Sequence, residues 1–439
     1  MSADVRTSRY TREIHTPDHG PKLAAKERRY SLRRQSQTVL HVKDLAHQKQ
    51  HRTVWCGRHI VSEGLMPVLR NHDGGGARVG NIKTCGSVWA CPVCAAKVAE
   101  LRRRELTYAM VQHQAQGGYA FLLTFTFPHY MGQTLDELLP MFDKARQSFQ
   151  NAKGWKKVMD VKTDKKPSGT AGRVGSVNSM EVTYGGANGW HPHLHMLVFC
   201  QPGAFGEATC DDAGRLSSAA IDYFKAQWVA KLEKAGLVNG DNRQWALQYG
   251  LDVRGGQQAA EYIAKWGHEE KWGLSSELTS NHAKLGKRTI WGIKDHYTPF
   301  QLLEMSAAGD GHATCAYREF VKSFDGKRML TWSRGLKDHF GIAEMDDDTA
   351  AAEQELDLEV EHHVGFINQQ QLTVLVTWGT YGQFLSFIAM YGHLPDAQQL
   401  INDWIDNTAS DRRRSGNVLQ NRMVVGNGNY WFEAEEVQA

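Results

Sequence analysis

The chain has 439 residues, of which 41% are hydrophobic and 23% charged, with a formal net charge of +3. These values are ordinary for a globular protein, and the length predicts two or three domains with a sizeable core. No apolar run is long enough to span a bilayer, and the opening Met-Ser-Ala-Asp-Val-Arg lacks the charged-then-apolar layout of a signal peptide, so a cytoplasmic protein is expected. The total charge makes no strong case for nucleic acid; its distribution says more, suggesting a basic arm or face for a polyanion and an acidic linker. The first sixty or so residues are dense in Arg and Lys, including Arg28-Arg29 and Arg33-Arg34, whereas 344–361 is acidic.

Taken in order, residues 1–50 are polar and basic with weak periodicity. They predict a largely disordered arm with a helix near 38–50. Next comes Cys56-Gly-Arg-His59, then Cys85-Gly-Ser-Val-Trp-Ala-Cys91-Pro-Val-Cys94. Seven cysteines, four of them in this cluster, suit a reducing compartment with a metal clip better than a disulfide framework. The Cys91-x-x-Cys94 pair with Cys85 just ahead suits a turn gripping one zinc ion through four thiolates, or through three thiolates and His59 in place of Cys56. A redox Cys-x-x-Cys is the weaker alternative, because no strand-then-helix context surrounds it.

A helix with a basic flank at Arg102-Arg103-Arg104 is expected over 95–116, then a strand over 119–127 with Leu123, Phe125 and Phe127 on one face and Thr124 and Thr126 on the other. Thr134 with Glu137 three residues on predicts a capped helix over 134–151. A lysine-rich connection follows, then a strand over 176–184, a Gly-rich hairpin loop and the stretch Gly189-Trp-His-Pro-His-Leu-His-Met-Leu-Val-Phe199. Alternation on a strand puts His191, His193 and His195 on one face and Leu194, Met196 and Val198 on the other. Three imidazoles backed by an apolar face predict an open site for a divalent ion. Glu181, on the neighbouring strand, offers an oxygen ligand if its face matches. Helices are expected over 216–235 and 257–266, a strand over 245–253, and a Pro-started helix after Thr298. A further helix within 320–340, a strand over 329–333 and helices over 372–390 and 396–405 complete the reading.

The 257–266 helix carries Tyr262 and Lys265, which share a face at i and i+3. A divalent ion against a phosphodiester makes phosphorus more electrophilic, and a nearby Lys stabilises a phenolate or phosphate charge. Attack by the phenol would leave a covalent phosphotyrosine. Here the chain resembles the HUH endonucleases. His193-Leu194-His195, preceded by His191-Pro192, looks like their His-hydrophobe-His motif. Residues 121–127, Gly-Trp-His-Pro-His-Leu-His and Glu261-Tyr262-Ile-Ala-Lys265 resemble the three ordered motifs of rolling-circle plasmid replication initiators, and 85–94 their upstream cysteine-rich segment.

The resemblance implies metal ligands at His193 and His195, with Glu181 as third ligand and His191 as an uncertain one. It implies Mn2+ or Mg2+ as the catalytic ion, Tyr262 as nucleophile and Lys265 as its helper. The implied activity is nicking at a double-strand origin through a 5′-phosphotyrosine, freeing a 3′-OH for a host polymerase. The expected partners are origin DNA, duplex and single-stranded, with host helicase and polymerase and a second copy of the chain. The chain departs from the pattern at Gln258, where such initiators often carry a Glu that activates water for termination. Glu261 is the candidate replacement, although it faces about 100° away from Tyr262.

Two rival readings stand beside this one: a relaxase or transposase with the same chemistry, and a non-catalytic zinc-containing DNA-binding protein. The expected fold is α+β, a mostly antiparallel sheet with flanking helices. The expected order is a basic arm (1–50), a zinc subdomain (51–100), a nicking domain (101–343), an acidic linker (344–365) and a helical C-terminal region (366–439).

Overall fold

A computed structural model describes residues 20–159, 172–256, 296–353, 361–414, 417–426 and 429–438, and these form an α+β protein with antiparallel sheets. The expected 257–266 helix, with Glu261, Tyr262 and Lys265, lies outside the described residues, as does the second half of the lysine-rich connection. Two compact units form, one from Val88–Ala90 and Ala95–Ala350, the other from Met1–Ser87, Cys91–Cys94 and Ala351–Ala439.

The first unit is built on a five-stranded sheet in the order Leu251–Arg254, Tyr119–Phe125, Gly189–Cys200, Gly175–Gly185, Thr331–Trp332, antiparallel throughout. The histidine strand occupies its centre. From Trp190 to Met196 that strand alternates buried and half-buried residues, as its sequence requires. Beyond Met196 the sequence turns continuously apolar and both faces are covered. Phe199 there packs on Phe340, with ring centroids 5.2 Å apart.

On the apolar face, helices Leu135–Gln150 and Ala219–Ala235 supply an aromatic core. The Trp228 ring lies 5.1 Å from Phe125 and 5.7 Å from Phe149, and all three are fully buried. Each such side chain contributes on the order of 1.5–3 kcal/mol. The two helices start where their side chains dictate. Thr134 and Glu137 form a reciprocal capping box, and Ser218 accepts from the Ile221 amide. Thr298 and Gln301 cap Pro299–Ala307 in the same way.

Three stretches of this unit differ from expectation. Residues 245–253 divide into a helix, Arg243–Tyr249, and a strand, Leu251–Arg254, because seven helical residues rich in β-prone aromatics carry too little periodicity to announce themselves. The helix expected within 320–340 is instead mainly Gly311–Phe324, capped by Asp310, with only the short helix Leu336–His339 inside that range. The acidic segment is not a bare linker. Arg102, buried, donates to Asp347 at 2.8 Å, to Glu105 at 2.7 Å and to the Met345 carbonyl at 2.7 Å, and Asp347–Glu353 is helical. Burying a guanidinium is costly unless charged or hydrogen-bonding groups answer it, and here two carboxylates and a carbonyl do.

The second unit joins the two ends of the chain. Met66–Asn71 pairs with Ala77–Val79 on one edge and with Glu361–Ile367 on the other, so a strand straddling the end of the expected linker completes an N-terminal sheet. Its core holds Met66, Val68, Ile367, Leu375, Phe384 and Ile401. The arm expected to be disordered contains the helix Gly20–Leu40, which buries Leu23, Leu32 and Val39. The single helix expected over 372–390 is two, Gln369–Thr377 and Tyr381–Tyr391, broken where Gly379 takes φ +70°. The C-terminal region is not wholly helical. Ala397–Arg414 is followed by the antiparallel hairpin Asn417–Gly426 and Asn429–Gln438, a stretch rich in β-prone Val, Tyr, Trp and Phe. Among the described residues no single helix is long and apolar enough to cross a membrane.

Candidate metal centres

Hairpin register assembles the first centre. Gly185 pairs with Gly189, and antiparallel pairing then sets Glu181 directly opposite His193 and Ser179 opposite His195. Glu181 Oε2 lies 2.9 Å from His193 Nε2 and 3.0 Å from His195 Nε2. The three ligand atoms sit within 4.8 Å of one another, and all three residues are half-buried. Adjacent ligands of an octahedral ion at about 2.1 Å are about 3.0 Å apart, so this donor set fits a hard divalent cation. Two imidazoles and one carboxylate cover one side of such an ion and leave positions for water or substrate. His193 Nδ1 and Ser179 Oγ on this face are buried without a hydrogen-bond partner among the described residues, an arrangement tolerated more readily beside an ion or polar ligand than in a closed core.

The neighbouring strand Tyr119–Phe125 and the residue just past its end contribute two side chains that motif reading missed. Thr124 Oγ1 pairs with His195 Nδ1 at 3.0 Å, and Thr126 Oγ1 with His191 Nε2 at 2.9 Å. With Nε2 bound to an ion, His195 carries its proton on Nδ1 and donates it to Thr124, which fixes ring and tautomer. The signal was present in the alternation of Thr124 and Thr126 with apolar residues, and lacked only the register. His191 is turned toward Thr126 and lies outside the ligand group. Its ring stacks on His129 at 4.6 Å, and burial, with its histidine neighbours adding, holds its pKa down to about 3. The His129 pKa is also held down by burial, and its Nδ1–H donates to the Asn188 carbonyl at 3.0 Å.

The second centre is a cluster of thiols. Cys56, Cys85, Cys91 and Cys94 are buried, and the Cys56–Cys94, Cys85–Cys94 and Cys91–Cys56 sulfurs are each 3.7 Å apart. A zinc tetrahedron with Zn–S near 2.3 Å has edges of about 3.8 Å, so the four sulfurs could hold one zinc ion, and none is in a disulfide. Gly57, at φ +76°, turns the chain just after Cys56. Hydrogen bonds from the other three thiols hold Cys56 well below the usual thiol range, with Arg33 adding to this, while burial pushes Cys85 and Cys91 well above it. His59, the alternative fourth ligand, is not in the group. It stacks on His47 and Trp55 at 5.5 and 5.8 Å, and burial holds its pKa near 4.

Fold and sites together describe an α+β chain with one half-buried nitrogen–oxygen donor group and one buried group of four thiols, each of which could hold a metal ion. Among known proteins, the chain is similar to "Protein rep" of Streptomyces lividans, 28% identical over 298 residues, covering 59% of this chain and 64% of that protein. It is also similar to the "Neomycin resistance protein" of Streptomyces cyanogenus, 31% identical over 146 residues, 29% of this chain and 33% of that one. The chain therefore spans less than two thirds of either relative. No family model and no solved structure matches it.

Proposed function

We propose that this chain is a plasmid replication initiator of the HUH type, which nicks one DNA strand at a double-strand origin. The observation that carries the reading is the Glu181–His193–His195 group, formed across a hairpin at ion-binding separations. The similarity to "Protein rep" and the later Tyr262-x-x-Lys265 support it. When bound there, Mn2+ or Mg2+ would supply Lewis acidity to a backbone phosphate.

The remaining chemistry belongs to side chains. Tyr262 attacks phosphorus through Oη; the O–P bond forms as the P–O3′ bond breaks, the phenol proton leaves to solvent and the 3′ oxygen takes one up. Lys265 stabilises the phenolate and the phosphate charge. The 5′ end stays on Tyr262, and the 3′-OH is left for host polymerase, with host helicase opening the duplex. Glu261 is assigned to water activation at termination; an Glu261→Gln chain that nicks in a single turnover and terminates normally removes that assignment.

The test is incubation of the full chain with a single-stranded origin oligonucleotide and Mn2+ or Mg2+. A cleaved strand, lost in His195→Ala and Tyr262→Phe and dependent on the ion, is the expected result. A mobility shift with no cleavage under any ion overturns the nicking reading in favour of a non-catalytic DNA-binding protein.

A further inference from the structure

A zinc ion held by four thiolates carries a net charge of about −2, and burying that charge is eased by a nearby cation. Arg33 is placed to supply one. It projects from the helix Gly20–Leu40 and is 7% exposed. Its guanidinium lies against the backbone at Gly57, the residue after Cys56, so closely that a Cβ there would collide with Nη1 and come within 2.9 Å of Cζ. Two aromatic faces hold it, Tyr30 at 4.8 Å and Tyr381 at 5.3 Å. Among the described residues no carboxylate makes an ion pair with it, in contrast to buried Arg102 with its two acidic partners. The neighbouring helix residue, Gln37, donates to the Cys56 carbonyl at 2.8 Å, so this helix touches the thiol turn twice.

We infer that Arg33 is the counter-charge of the thiolate centre, a positioning residue 23 residues before Cys56 that makes ion binding depend on an upstream helix. This rests on the four thiols being a metal site. The two aromatic rings desolvate the guanidinium on its flanks, which strengthens its field at the sulfurs relative to a solvated surface charge. The flat fork fits the space over Gly57, where any other residue would push it away.

The test uses the full chain, with Zn2+ affinity measured by chelator competition and Co2+ as a spectroscopic stand-in. Arg33→Met keeps the apolar stem and removes the charge. It is expected to weaken Zn2+ binding ~10–100-fold. It should also move the sulfur-to-cobalt charge-transfer band to longer wavelength, because thiolate electrons are held less tightly without the cation. Arg34→Met is the control: Arg34 donates to the Thr377 carbonyl at 2.9 Å and should leave both readings unchanged.

Should Arg33→Met not fold, Arg33→Lys is read instead, and a charge role predicts affinity within a few-fold of the parent. Binding by Arg33→Met within twofold of the parent, with an unmoved band, overturns the role of Arg33 while leaving the zinc site standing; so does a tenfold loss in Arg33→Lys. A parent chain that takes up no Co2+ or Zn2+, or keeps it in Cys94→Ser at full affinity, overturns the metal site and this inference together.

Discussion

The two centres differ in ways that donor chemistry alone would not produce. The thiol group is buried and takes all four of its donors from protein, so an ion there has no position left for substrate. The histidine–glutamate group is half-buried and has three donors, leaving coordination positions open. The first arrangement suits holding a fold together, and the second suits chemistry. Their scaffolds differ correspondingly. The start of the helix Pro92–Ala115, the turn at Gly57 and a buried arginine frame the sulfurs, whereas a central hairpin with a fixed register carries the imidazoles and the carboxylate.

The largest expected effect comes from breaking the closed centre. Cys94→Ser should release the zinc and unfold the unit that contains it, because structural zinc contributes about 10–16 kcal/mol of apparent binding energy to such sites. Metal content per chain and limited proteolysis check this; an ion retained with unchanged protease resistance would erase the contrast. Next, His195→Ala should lose at least ~100-fold in Mn2+ affinity, read by electron paramagnetic resonance, with the melting temperature nearly unchanged because the residue lies on the polar, half-buried face. A large fall in melting temperature would make this centre structural too.

Smaller again is Thr124→Val. It removes the hydroxyl that orients His195 and should weaken Mn2+ binding ~10–100-fold while zinc content stays constant. The smallest effect is on pH dependence. His59 and His191 are held near 4 and near 3 by burial, so the folded chain binds fewer protons than the unfolded chain, whose histidines titrate near 6.5. Stability is complete above that value and falls as pH drops from about 6.5 toward 4, by up to about 1.4 kcal/mol per pH unit for each histidine. Urea midpoints at pH 7.5, 6 and 5 should show this slope, made shallower in His59→Phe; a flat profile contradicts it.

Much of the open centre was legible in the sequence. The alternating histidines, the apolar backing and the glycine-rich turn define a hairpin, and once Gly185 faces Gly189 simple counting sets Glu181 against His193. The capping boxes at Thr134 and Thr298 were equally readable, since they depend on residues three apart. What stayed hidden depends on distant partners. Choosing Cys56 over His59 requires knowing which side chain the turn at Gly57 directs inward. The helix Gly20–Leu40 buries Arg33, Ser36 and Gln37 beside its few apolar residues, so its buried face does not show as a hydrophobic stripe. The strand Glu361–Ile367 begins where the acidic run ends, and its register with Met66–Asn71 is set by pairing across about two thirds of the chain.

The central claim is that the open centre serves a tyrosine that takes DNA covalently. Peptide mapping by mass spectrometry of the chain after reaction with an origin oligonucleotide and Mn2+ tests this most directly. The account predicts one modified peptide, carrying a nucleotide phosphate on Tyr262, which disappears in Glu181→Ala. A stable adduct on another residue, or efficient cleavage with no adduct at all, contradicts it.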